Sequence, residues 1–255
     1  MVGIVKKNGI TSIKKALAFT LAETLIVMGI IGVVAALTIP NLNSSTADKE
    51  KVAKLKKVYS NLNDAIGRVE ATYGPLSENV GNFPDRLSDF LKVSKTCGYT
   101  ANTGCFPSST KLLDGSNLGY DDKSTSLYKY ILADGTSLGI AGCTWGYQLF
   151  VDIDGPSKGA STLGKDVFDF HIVLPQYISD PGNALSFEDK GILLSDAPMD
   201  GGKKLIERTD LTNNFKTGQG LATWVIQNDN MDYLKATAGK CPNNKVLSWT
   251  NTSCK

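Results

Sequence analysis

Three constellations in this chain combine residue types and spacings that could do chemistry. The first is Glu23, the only charged side chain in the apolar run FTLAETLIVMGIIGVVAALTI, residues 19–39. A carboxylate inside a bilayer costs about 3 kcal/mol or more even on lenient insertion scales, so it calls for a partner or a task. The second is VDIDGPSKGASTLGKDVFDF, where Asp152, Asp154 and Asp166 flank a Gly/Ser-rich loop and could offer hard oxygen ligands to a calcium ion. That loop lacks the EF-hand spacing and its closing Glu, and turn-forming aspartates at strand ends are the favoured reading. The third is a set of five cysteines, Cys97, Cys105, Cys143, Cys241 and Cys254, with no CxxC pair and a single histidine, His171. Such a set fits disulfides in an exported chain better than a zinc site. Spacing leaves several pairings open; the two short loops, Cys97 with Cys105 and Cys241 with Cys254, are favoured.

Enzyme signatures are absent. There is no GxSxG elbow, no HExxH and no GxxxxGK[ST] phosphate loop, and DGGKK lacks the required spacing. His171 falls in an apolar alternating stretch, the setting of a structural histidine rather than a general base. No catalytic residue and no required cofactor are expected.

The apolar run is long enough, at about 1.5 Å per helical residue, to cross a hydrocarbon core of roughly 30 Å. Lys6, Lys7, Lys14 and Lys15 precede it without an acidic residue among them, which places the short leader on the cytoplasmic side and sends the chain after Pro40 outward. A cleaved secretory signal with VVA before Ala36 is the competing reading. The length of the run and the carboxylate within it weigh against that. Gly29 and Gly32 permit close helix approach in lipid, and Pro40 removes one backbone hydrogen bond, so the segment can pack tightly or bend.

Together, ALA and the adjoining FTLAETLIVMGIIGVVAALTIPN resemble the class III signal of type IV pilins and type II secretion pseudopilins. The matching positions are Phe19 at the cut, Thr20 and Leu21 after it, Glu23 as the fifth residue, Gly29, Gly32 and Pro40. The family usually has Gly before the cut, where this chain has Ala18. The resemblance implies cleavage between Ala18 and Phe19, N-methylation of the new amine, and polymerisation through the helix. It also implies partners: copies of itself or sister pilins, a prepilin peptidase, inner-membrane lipid, and an assembly platform driven by a cytoplasmic ATPase. The implied location is the inner membrane with the head outside, then a periplasmic or extracellular filament. Glu23 then has its partner, since a carboxylate at this position can pair with the freed amine of a neighbouring subunit.

The elements that must display these residues can be read from the hydrophobic pattern. After NLNSSTADKE, apolar residues at Val52, Leu55, Tyr59, Leu62, Ile66, Val69 and Tyr73 step by three and four and draw one stripe on a helix ending at Gly74-Pro75. Docking of the stripe on a sheet is favoured over a coiled-coil seam. A connection over residues 75–126 holds at most a short helix near Leu87 to Val93. Next, LYKYILADGTSLGIAG reads as a hairpin turning at Asp134-Gly135, with WGYQLFVDIDG and KDVFDFHIVLP as further strands. Trp224, Val225, Met231 and Leu234 form a core-facing patch.

The expected fold is therefore α+β, the pilin-like lollipop of a long N-terminal helix on a small antiparallel sheet. It divides into a leader (1–18), an assembly half-helix (19–40), an amphipathic half-helix (41–74) and a head (75–255) whose end is a cysteine-bounded loop. The composition, 42% hydrophobic and 20% charged over 255 residues, suits one sizeable core. Residues 1–18 hold four of the 27 basic residues and none of the 25 acidic ones, so their removal turns the net charge from +2 to −2. No general nucleic-acid footprint remains. The other functional classes are a minor pilin that binds a surface, DNA or a secreted substrate, and a secreted or anchored enzyme.

Overall fold

The computed structural model describes residues 21–76, 82–143, 146–174, 192–193 and 211–255, without the side chains of 35, 37–45 and 192–193. The chain divides into two compact units, Met1–Thr46 and Ala47–Lys255. The first helix, α1 (Leu21–Tyr73), contributes to both. In the first unit its residues 25–37 are a run of Leu, Ile, Val, Met, Gly and Ala, and Pro40 falls inside the helix. In the second unit it is amphipathic. It stops at Gly74, whose φ of +85° only glycine adopts freely and whose N–H donates to the Glu70 carbonyl at 3.0 Å.

The second unit is mixed helix and sheet. Among the described residues, a short helix α2 (Phe83–Ser88) leads into eight strands: β1 (Val93–Gly98), β2 (Ser109–Lys111), β3 (Leu127–Leu132), β4 (Ser137–Cys143), β5 (Gly146–Asp152), β6 (Ala160–Thr162), β7 (Val167–Val173) and β8 (Ile192–Leu193). Helices α3 (Thr212–Thr217) and α4 (Leu221–Asn228) come next, then a 3-10 turn at Asp232–Lys235. Six strands form one antiparallel sheet in the order β1-β3-β4-β5-β7-β8, while β2 and β6 pair separately and in parallel. The helix expected near Leu87 to Val93 is displaced: Pro84 starts α2 earlier, where its fixed φ suits a first turn, and Val93 already belongs to β1.

Register decides which residues face α1. Tyr128 opposes Ile140, Ile140 opposes Leu149 and Leu149 opposes Phe170, so these four point to one face. They share a core with Val52, Leu55, Leu62, Ile66 and Val69 of α1, and Tyr59 stacks on Phe170 with ring centroids 5.7 Å apart. The intervening residues Leu127, Ala141, Phe150 and Val167 face the other way and pack with Phe106 and Leu163. Burying each large apolar side chain contributes roughly 1.5–3 kcal/mol, so the helix stripe is the main fastening of α1 to the sheet.

Candidate functional site: an apolar helix surface and a lysine-aspartate seam

From Leu25 to Val34, α1 is apolar on every side. Leu25, Ile26, Val27, Met28, Ile30, Ile31, Val33 and Val34 are all more than half exposed, although consecutive residues point in different directions around a helix. A helix that is hydrophobic all round requires a covering of lipid or other helices. Glu23, in the first turn, carries the only charge from Leu21 to Val34. A Cβ built on Gly29 or Gly32 meets nothing within 4 Å, so both leave open notches on the helix surface. The Thr24 hydroxyl donates to the Leu21 carbonyl of its own helix at 2.8 Å. Ala18, Phe19 and Thr20 lie outside the described residues, as does the side chain of Pro40. Among the described residues no helix is long and apolar enough to cross a membrane; the stretch with described side chains, Leu21–Val34, is shorter than the roughly 20 residues a span takes.

In the second unit, lysines from the start of the amphipathic half of α1 meet aspartates from separate loops. The Lys51 ammonium bridges Asp154 at 3.0 Å and Asp166 at 2.6 Å. Lys56 pairs with Asp229, and Lys57 stands 3.8 Å from Asp134. Burial alone would lower the pKa of Lys51, but hydrogen bonds and charge from Asp166 and Asp154 outweigh it and hold the ammonium above its ordinary value. Behind this pair, Asp152 on β5 is fully buried, accepting a hydrogen bond from the Ser137 hydroxyl at 3.5 Å. Burial, and then the charges of Asp154 and Asp166, push its carboxyl up to about 7. Of the three aspartates read as calcium ligands, Asp154 and Asp166 converge on the Lys51 ammonium, while Asp152 lies buried and bonds Ser137. Among the described residues no group of three or more His, Cys, Asp or Glu is disposed to hold a metal ion.

Two further aspartates organise the disulfide-bounded loops. Cys97 is bonded to Cys105 and Cys241 to Cys254; Cys143 lies outside both bridges. Buried Asp122 accepts from the N–H of Gly104 at 2.8 Å, of Cys105 and Phe106 at 3.2 Å, and from the Thr103 hydroxyl at 3.1 Å. Asp232 accepts from the Ser253 hydroxyl, the Cys254 N–H and the Lys235 ammonium at 2.6, 3.1 and 2.6 Å. Both carboxyls are held below the usual range: burial opposes this, and the donors prevail. Neither residue stands out in the sequence, where each sits in a polar, turn-like stretch with no spacing signal. Trp224 is buried against Phe215 and Trp249, and His171 is buried on β7, so neither presents an open surface. No protein-family model, characterised protein or solved structure matches the chain.

Proposed function

We propose that this chain is a structural subunit of a filament of the type IV pilus or type II secretion pseudopilus kind. The observation that carries the reading is the exposed, all-round apolar half of α1 with Glu23 as its single charge. Cleavage before Phe19 frees an α-amine, whose N-methylated form still carries a positive charge. Glu23 pairs with that amine on a neighbouring subunit, because an isolated carboxylate in a low-dielectric packing of helices is far more costly than a paired one. The apolar surface associates with lipid before assembly and with other helices after it, with Gly29 and Gly32 permitting close approach. The second unit is then the head of a pilin-like lollipop, displayed outside the membrane and braced by its two disulfides. The chain performs no catalysis; peptidase and ATPase chemistry belong to its partners.

The test is assembly of Glu23→Ala and Glu23→Gln in the native cell, scored as sheared filaments or as secretion through them. Both variants should insert and keep a folded head while filament yield falls at least tenfold. Normal filaments from Glu23→Ala would refute the pairing role.

A further inference from the structure

We infer that the second unit carries a groove for an acidic, extended peptide segment of a partner protein, lying along α1 between Lys57 and Arg68. The groove encloses about 530 Å³ between α1, residues 90–92 and the β3–β4 turn. Its floor is apolar, formed by Val58 and Leu62, which are buried. Lys57 to Arg68 spans about 16 Å of helix, the length of roughly five residues of extended chain. A half-open groove bounded by three turns of α1 suits a strand of peptide better than a compact metabolite, which favours an enclosed cavity.

Charge selects the kind of peptide. Lys57 and Arg68 each have a counterion, Asp134 and Asp64, but at 3.8 Å both contacts are at the long limit of an ion pair. Lys92 is exposed on the opposite wall and makes no ion pair among the described residues. The groove therefore holds a surplus cation and two loosely engaged ones around an apolar floor. Carboxylates spaced along a ligand can each engage one of these cations, and an apolar side chain between them fills the floor. The Arg68 guanidinium lies over the Phe90 ring, 5.0 Å from its centroid, and presents its remaining donors to such a ligand. Asn61 adds an exposed amide in the groove wall, matched to the donor and acceptor of a peptide bond.

The test uses the full chain in detergent micelles and two fluorescein-labelled pentapeptides, Asp-Phe-Asp-Leu-Asp and the same peptide with Lys at each Asp position. Fluorescence anisotropy should show saturable binding of the acidic peptide alone, weakening as salt is raised. Lys92→Glu and Lys57→Glu should each reduce the affinity at least about tenfold, because a repelling pair replaces an attracting one. Lys123→Glu, exposed and outside the groove walls, should leave it unchanged. Absence of binding, equal binding of both peptides, or unchanged affinity in Lys92→Glu and Lys57→Glu would overturn the proposal. Displacement of the acidic peptide by an excess of the Lys92→Glu chain, whose own groove binds it weakly, would also overturn it, by making a second copy the occupant.

Discussion

Replacing Lys51 with Met removes one ammonium from between two aspartates while keeping an apolar stem of similar reach. At an effective dielectric of about 20, unit charges 2.6–3.0 Å apart attract by about 5–6 kcal/mol before desolvation. Deleting one partner of a buried pair costs about 3–5 kcal/mol, since the remaining charge is left without compensation. The side chains of Lys51, Asp154 and Asp166 retain 20%, 31% and 17% exposure, so the lower end, about 3 kcal/mol, is the expected loss. For a domain of this size that lowers the melting temperature by about 6–12 °C. The assay is thermal melting of the detergent-solubilised chain by circular dichroism near pH 7.5, with and without millimolar calcium. The parent protein should not respond to calcium, whereas Lys51→Met, which leaves Asp154 and Asp166 without that cation, should recover part of the loss. A variant melting within about 2 °C of the parent would refute the assignment. So would calcium stabilisation of the parent, which would return the loop to the metal-binding reading.

Asp152 sets a second expectation. Its folded carboxyl is raised to about 7, above the unfolded value, so the folded state retains a proton that the unfolded chain has lost. Stability should therefore fall as pH rises from about 4 toward 7, at up to about 1.4 kcal/mol per unit, and Asp152→Asn should flatten that slope in urea titrations near pH 5 and pH 7. Asp122 has the opposite sign: its carboxyl is depressed, so its contribution is present above the unfolded pKa and is lost as pH falls through the folded one. Asp122→Ala leaves three buried-loop N–H donors without their acceptor and should cost about 2–3 kcal/mol at pH 7, with the gap from the parent narrowing below about pH 4.

Patterns with a local cause are legible in the sequence. The three-and-four stepping of Val52 to Val69 marks the buried face of α1 because helical periodicity is a property of the segment itself. The β3–β4 hairpin is marked by Asp134-Gly135: Gly135 adopts φ +84°, and the Thr136 N–H donates to the Asp134 carboxylate. Contacts made at a distance are not legible. Lys51 and Asp166 are 115 residues apart, and nothing near either one announces the other. The calcium expectation is read from the three aspartates alone, while the Lys51 ammonium that meets Asp154 and Asp166 comes from a distant helix. The parallel pair β2–β6 joins two short Ser/Thr-bearing stretches too brief to show a period. β1 is polar along its exposed side and breaks register with β3 twice, which conceals alternation. The groove along α1 is likewise a tertiary product, its walls separated by more than twenty residues of chain.

The filament proposal stands or falls on how the chain begins in its native membrane. Intact-mass spectrometry with N-terminal peptide mapping of the protein recovered from that membrane should find a chain starting at Phe19 and carrying one added methyl group. A chain starting near Ala36, or one still carrying Met1, would contradict the account and leave Glu23 without the amine it is proposed to meet.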